Sequence, residues 1–151
     1  MKFAEFETGR CIVAGPYLVT EDEIVDFAQR YDRQWFHVDA VAAGRSRFSG
    51  LIASGWHTCA MAMRLLTDAA LHDSESFASP GIEQIRWPRP VRPGDALSLT
   101  ATVLDVRRSR SKSGMGILRW RWQLRNQTGA EVLDLTATSL FDLSPAPQQP
   151  D

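Results

Sequence analysis

One short segment of the chain holds a carboxylate and an imidazole close together. Asp32 and His37 are separated by residues 33–36, so they stand five positions apart. A carboxylate and an imidazole that hold the same water can activate it for attack and can deliver a proton. The spacing alone is also compatible with a carboxylate that caps nearby amides and a structural histidine.

A second segment offers a backbone hydrogen-bond donor. Residues 50–55 end in Ser54 and Gly55, two residue types that are favoured at a helix start. The first amides of a helix lack helical partners and lie at the positive end of its dipole. The Gly55 N–H is therefore a candidate donor to a developing oxyanion, with a plain helix-start glycine as the alternative. Together with Asp32 and His37, it would suit a reaction that adds or removes water beside a carbonyl.

The composition is that of an ordinary globular domain. The chain has 151 residues with 17 basic and 18 acidic side chains, which argues against wholesale binding of nucleic acid or of a membrane surface. No run reaches the roughly 18 apolar residues of a membrane span and no leader pattern is present, so we expect a cytoplasmic protein. Cys11 and Cys59 lack CxxC or metal-ligand spacing and are predicted to be buried thiols. We expect one domain over residues 1–143 and a disordered, proline-rich tail over 144–151.

The first half of the chain has the periodicity of helices. Thr20 and Glu23 form a capping-box pattern ahead of a predicted helix over 21–31. The side chains predicted to be buried on this helix are Ile24, Phe27, Ala28 and Tyr31. A further helical turn is predicted over 39–43. Residues 56–71 are apolar on nearly every face, which predicts a long helix wrapped by a sheet.

The second half alternates apolar and polar residues, as half-buried strands do. Strands are predicted over 97–103, 118–125 and 133–141, with an earlier one near 82–87 and a first one over 11–19 that bends at Gly15-Pro16. Hairpin turns are predicted at 111–114 and 126–129. These elements predict an α+β fold in which a long helix lies on a curved antiparallel sheet. Because such a sheet leaves open edges, we expect a dimer.

Three sequence blocks follow one another in a recognisable order. Residues 32–39 read Asp-Arg-Gln-Trp-Phe-His-Val-Asp, residues 48–55 read Phe-Ser-Gly-Leu-Ile-Ala-Ser-Gly, and residues 87–95 read Trp-Pro-Arg-Pro-Val-Arg-Pro-Gly-Asp. The chain thereby resembles, over roughly residues 5–142, the MaoC-like dehydratases, which include the (R)-specific enoyl-CoA hydratases of the hot-dog fold. That family's motifs are Asp-x-Asn-Pro-x-His, Phe-x-x-x-Ile-x-His-Gly and Phe-x-x-Pro-Val-x-x-Gly-Asp. The chain departs from them at Gln34-Trp35, in place of Asn-Pro, and at Ser54, in place of the histidine.

The resemblance implies an acyl-thioester hydratase or dehydratase with the hot-dog fold. Asp32 and His37 would grip the reacting water, with Asp32 the leading candidate for the base in hydration, and the Gly55 amide would bind the thioester oxygen. The implied enzyme is a homodimer or a higher oligomer, and its substrate is linked to CoA or to a carrier protein. CoA enters only as part of the substrate, and no metal or other cofactor is expected. The predicted pocket residues are Trp35, Phe36, Ile52, Ser54 and Trp56.

Two other functions stay open at this point. A hot-dog thioesterase would direct water at the thioester carbonyl and release free thiol. A non-catalytic acyl-ligand binder, or a partner subunit for another hot-dog chain, would not need the acid-base pair at all. His57 is predicted to pack or hydrogen-bond inside the dimer rather than to act in the cleft.

Overall fold

The computed structural model of the protein describes residues 1–144, which form one antiparallel sheet packed against helices. The strands are β1 Cys11–Leu18, β2 Ser76–Arg86, β3 Ala96–Arg108, β4 Met115–Arg125 and β5 Glu131–Asp142. Their order is β1-β3-β4-β5-β2, so β1 and β2 form the edges of the sheet. The helices are α1 Glu21–Tyr31, α2 Trp35–Val38, α3 Ala40–Gly44 and α4 Gly55–Leu66. The predicted α+β architecture is confirmed, while residues 145–151 of the predicted tail lie outside the described residues.

The core lies between α4 and the inner face of the sheet. Alternate residues of β3 and β4 are buried there, as the polar-apolar alternation predicts. The buried strand residues include Leu97, Leu99, Ala101, Leu118, Trp120 and Leu124, and those of α4 include Met61, Ala62 and Leu65. The strand predicted near 82–87 begins earlier, at Ser76. The sequence pattern does not reveal its first part, because β2 is an edge strand whose residues are nearly all exposed and show little alternation.

The central helix is covered on one side only. The α-helix ends at Leu66 and continues as a π-helical turn over Thr67–Leu71. The predicted long helix on a curved sheet is confirmed, and Trp56 and Met63 are 60% and 42% exposed because a single sheet contacts only one side of a helix. Within the described part of the chain, no helix is both long and apolar enough to cross a membrane.

Two burial predictions are wrong for local reasons. Tyr31 is 74% exposed because it is the last residue of α1, and its ring contacts Phe27 one turn earlier. Cys11 is exposed because Ile12, its neighbour on β1, takes the inward position and successive side chains of a strand point to opposite faces. Cys59 is partly buried.

The start of α1 matches its predicted cap in part. Thr20 Oγ1 accepts a hydrogen bond from the Glu23 backbone N–H at 3.2 Å. The Glu23 carboxylate does not complete the box on the Thr20 amide: it accepts hydrogen bonds from the Thr20 hydroxyl and from the Tyr17 phenol. Glu23 therefore ties α1 to β1, which contains the bend predicted at Gly15-Pro16.

The segment between α1 and α4 folds over the start of α4. Residues 35–38, predicted as a loop, form the single turn of α2, and the turn predicted over 39–43 is α3, which Asp39 caps through the Ala42 amide at 2.9 Å. The segment is fastened at its end, where the Ala53 N–H donates to the Val91 carbonyl at 2.8 Å. This path brings residues that are distant in sequence to the N-terminus of α4.

Candidate active site

The acid and the base predicted from sequence lie side by side. Asp32 caps the C-terminus of α1 directly after Tyr31, and its N–H donates to the Ala28 carbonyl at 2.9 Å. His37 lies on α2 and is 5% exposed. Its Nε2 is 3.4 Å from Asp32 Oδ2. The turn between α1 and α2 thus brings the side chains of Asp32 and His37 face to face.

The hydrogen bond of His37 on its other nitrogen defines its tautomer. Nδ1 lies 2.7 Å from the backbone carbonyl oxygen of Ile52. A carbonyl oxygen can only accept, so Nδ1 carries the hydrogen and Nε2 of the neutral ring presents a lone pair. Nε2 and the Asp32 carboxylate are then both acceptors at the same cavity. One water can donate a hydrogen to each of them, which leaves its oxygen lone pairs available for attack.

Two side chains donate to the Asp32 carboxylate. The Ser54 hydroxyl donates to Oδ2 at 2.7 Å, and the Gln34 amide donates to Oδ1 at 2.9 Å. Partial burial acts to raise the pKa of Asp32, but the hydrogen bonds from Ser54 and Gln34, with the nearby His37, outweigh it and hold that pKa below its usual value. Asp32 is therefore ionised at neutral pH.

Gly55 is the first residue of α4, directly after its N-cap Ser54. Its N–H therefore belongs to the helix amides without a helical acceptor. Its carbonyl accepts a hydrogen bond from the Trp87 indole N–H at 3.0 Å. The indole packs so closely that a Cβ at position 55 would lie 2.7 Å from Trp87 Cε2. Glycine is required here because of this close approach.

The pair opens into a cavity of about 410 Å³. The cavity is lined by Asp32, Gln34, His37, Phe48, Ile52, Ala53, Ser54, Gly55, Trp56, Thr58, Trp87, Arg89, Pro90 and Val91. Of the predicted pocket residues, Ile52, Ser54 and Trp56 line this cavity.

Trp35 and Phe36, the other two predicted pocket residues, lie beside the cavity rather than in its wall. Their rings pack against Phe48, with centroid distances of 6.1 and 5.0 Å respectively. The sequence did not lead to the prediction of Phe48 and Trp87 as lining residues, although each is the first residue of one of the three sequence blocks. The catalytic and binding roles of all these residues stay predictions.

The other histidines lie away from the cavity wall. His57 is buried, its ring stacks on Phe27 with centroids 4.6 Å apart, and its Nε2 lies 3.6 Å from Glu23 Oε1. Burial lowers the pKa of His57, and Glu23 opposes that effect. His72 is exposed beside Asp73. Among residues 1–144, no group of three or more His, Cys, Asp or Glu side chains is arranged to hold a metal ion.

Comparison with known proteins identifies the family. Residues 5–118 match the family model described as the MaoC like domain. The chain belongs to the MaoC-like dehydratase family. A MaoC-like dehydratase from Rhodospirillum rubrum, whose crystal structure is known, is 35% identical with a TM-score of 0.85, over 94% of this chain and 97% of that one.

Two further proteins resemble this MaoC-like chain, one in its fold and one in its sequence. A Mycobacterium tuberculosis protein with a double hotdog fold superposes with a TM-score of 0.78 at 19% identity, over 99% of this chain and 46% of that one. This likeness concerns the fold, and the predicted hot-dog architecture is confirmed. The 3-hydroxyacyl-thioester dehydratase Z of Mycobacterium tuberculosis is 31% identical over 58% of this chain and 60% of its own length.

Proposed function

We propose that the protein is an acyl-thioester hydratase or dehydratase that adds water to a 2-enoyl thioester or removes it from a 3-hydroxyacyl thioester. The observation that carries the proposal is the pairing of two acceptors, Asp32 and His37 Nε2, beside the first amide of α4 in one cavity. Membership of the MaoC-like dehydratase family, and the similarity to a 3-hydroxyacyl-thioester dehydratase, support the same reaction class.

In hydration, the water held by Asp32 and His37 attacks C3 of the enoyl thioester. One proton of this water passes to the acid-base pair as the new C3–O bond forms, and the C2=C3 electrons move towards the thioester carbonyl. The Gly55 N–H donates to the oxygen on which negative charge develops, a kind of contact whose loss typically costs on the order of 2.7–4 kcal/mol of barrier. The pair then returns a proton to C2, and dehydration follows the same steps in reverse.

The substrate is proposed to be a thioester of CoA or of a carrier protein. Three aromatic side chains from separate parts of the chain, Phe48, Trp56 and Trp87, line the cavity and suit a planar, conjugated acyl group. CoA would belong to the substrate, and no separate cofactor enters the proposed steps. The cytoplasmic location expected from the sequence stays a prediction.

We also propose that the protein acts as a homodimer that pairs through β2. This strand is an edge of the sheet, and it exposes Phe77 and Ile82 by 57% and 49%. Beside it, Trp56 and Met63 on the uncovered side of α4 border an apolar cavity of about 390 Å³. An exposed edge strand with apolar neighbours is stabilised when another sheet pairs with it and buries those side chains. A second copy of the chain has the same edge and can pair with it in a symmetric dimer.

The reaction is tested with purified protein and crotonyl-CoA in two parallel assays. Ultraviolet absorbance reports loss of the conjugated enoyl thioester, and a thiol reagent reports release of CoA. Loss of absorbance without thiol is the expected result. Thiol release would make the protein a thioesterase. No change in either assay, with crotonyl-CoA and with branched and aromatic enoyl-CoAs, would favour the non-catalytic binder.

The same assays test the acid-base pair. Asp32→Asn and His37→Ala should each lower turnover by on the order of 100-fold or more without loss of fold. The exposed pair His72 and Asp73, whose facing atoms are 3.9 Å apart, provides a matched control. His72→Ala and Asp73→Asn should leave turnover unchanged. Near wild-type turnover in Asp32→Asn would remove this carboxylate from the mechanism.

A further inference from the structure

Two of the positions at which the chain departs from the family's motifs meet at one carboxylate. Gln34 stands where the motif has asparagine and Ser54 where it has histidine, and the two residues lie 20 positions apart. Both donate to Asp32, each to a different oxygen: Ser54 Oγ to Oδ2 at 2.7 Å and Gln34 Nε2 to Oδ1 at 2.9 Å. Neither oxygen of the proposed base is thus left without a protein donor.

The environment of Ser54 orients its hydroxyl hydrogen. Ser54 is 1% exposed, and its Oγ accepts a hydrogen bond from the Trp56 N–H at 3.3 Å. Because the Trp56 N–H occupies a lone pair of the Ser54 oxygen, the hydroxyl hydrogen of Ser54 points to Asp32. The amide belongs to the first turn of α4, where the helix dipole is positive. Ser54 therefore links the positive end of α4 to the carboxylate of Asp32.

We propose that Ser54 and Gln34 are positioning residues that keep the Asp32 carboxylate ionised and in a single orientation, so that the site works into the acidic range. The inference rests on the proposed function in one respect: Asp32 is the base of that mechanism. A protonated Asp32 would have a hydrogen on one oxygen and would lose the acceptor capacity with which it holds the water. Its two donors favour the ionised form, because a hydrogen bond to a charged acceptor is stronger than one to a neutral acceptor.

The titratable and charged side chains near Asp32 favour its ionised form less than the two neutral donors do. From α2, His37 faces Asp32 at 3.4 Å, and Arg89, which follows β2, lines the same cavity. Burial raises the pKa of Asp32, and the hydrogen bonds from Ser54 and Gln34 act in the opposite direction and exceed the contribution of His37.

The direct test is a carbon NMR titration of the Asp32 carboxyl group in the ligand-free protein, with the resonance assigned by its absence in Asp32→Asn. Ser54→Ala and Gln34→Ala should each raise the titration midpoint of Asp32, and the double variant should raise it further. Gln34→Glu, which preserves the shape and removes the donor, should raise it more than Gln34→Ala. Ser54→Thr retains a hydroxyl and should return the midpoint towards the wild-type value. Ser139→Ala, at a buried serine of β5, is the control and should leave it unchanged.

An unchanged midpoint in both single variants would overturn the proposal. Since Gln34 is exposed, Gln34→Ala and Gln34→Glu decide the matter even where Ser54→Ala does not fold.

Activity provides the second readout. In an active enzyme, the acidic limb of the pH profile of kcat/KM should move to higher pH in the same variants, with kcat falling more than KM rises. Superimposable profiles would contradict a positioning role. Because the NMR titration needs no substrate, a shifted midpoint in a protein without hydratase activity would refute the proposed function while supporting the donor pair.

Discussion

The contact between Gly55 and Trp87 leads to the sharpest prediction about the site. A methyl group at position 55 would lie 2.7 Å from Trp87 Cε2 and 3.0 Å from Cδ2 and Cζ2. Carbon atoms pack at about 3.5–4.0 Å, so in Gly55→Ala the indole must move by about 1 Å. This movement would also stretch the 3.0 Å hydrogen bond from the indole N–H to the Gly55 carbonyl.

The cost to stability and the cost to activity should differ. Trp87 is 40% exposed and can move outwards, so we expect Gly55→Ala to lower the free energy of unfolding by about 1–2 kcal/mol, near the lower end for overpacking. Activity should fall more, because a misplacement of about 1 Å in a catalytic cavity costs on the order of 100-fold in rate. The measurements are urea denaturation and kcat/KM for an enoyl-CoA.

Two companion variants separate this reasoning from a general effect of alanine. Gly44→Ala, on α3, would place a methyl group with no atom within 4 Å and should leave both quantities nearly unchanged. Gly55→Ala combined with Trp87→Ala removes the clash and should lose less than the sum of the single variants. If Gly55→Ala had wild-type stability and activity, the requirement for glycine at this position would be refuted.

Three further predictions concern the rest of the molecule. The Asp134 carboxylate accepts hydrogen bonds from Arg121 at 2.7 and 2.9 Å, and this guanidinium lowers the pKa of Asp134. The ion pair therefore stabilises the fold fully at any pH above the pKa that Asp134 has in the unfolded chain. This stabilisation is lost below about pH 4, as the pH falls through the lower pKa that Asp134 has in the folded protein. Since Arg121 is 43% exposed, Asp134→Asn should lower the free energy of unfolding by at most about 1 kcal/mol at neutral pH, and urea denaturation in acid should show a smaller difference. Ile82→Asp on β2 should convert a dimer to a monomer in light scattering, whereas Val13→Asp on the opposite edge should not; a dimer that survives Ile82→Asp would place the interface elsewhere. Exposed Cys11 should react with a thiol reagent faster than Cys59, whose pKa is raised by burial; retention of the fast phase in Cys11→Ser would contradict this.

Much of the fold was readable from local patterns. The alternation in residues 97–103 and 118–125 predicted β3 and β4, and Thr20 marked the start of α1. These signals are local because the periods of 2 and 3.6 residues, and the first unpaired amides of a helix, are set by backbone geometry alone. The three sequence blocks likewise pointed to the family to which the chain belongs.

The tertiary structure decided which of these residues meet and which faces are covered. The hydrogen bonds from Ser54 to Asp32, and from Trp87 to Gly55, join residues 22 and 32 positions apart. The exposure of Tyr31, Cys11 and one side of α4 likewise follows from how the elements pack. Periodicity specifies the conformation of each element but not its neighbours, because long-range contacts depend on how several elements share one core. The sequence by itself thus determined most of the elements and the family, whereas packing brought the Ser54 hydroxyl to the carboxylate of Asp32.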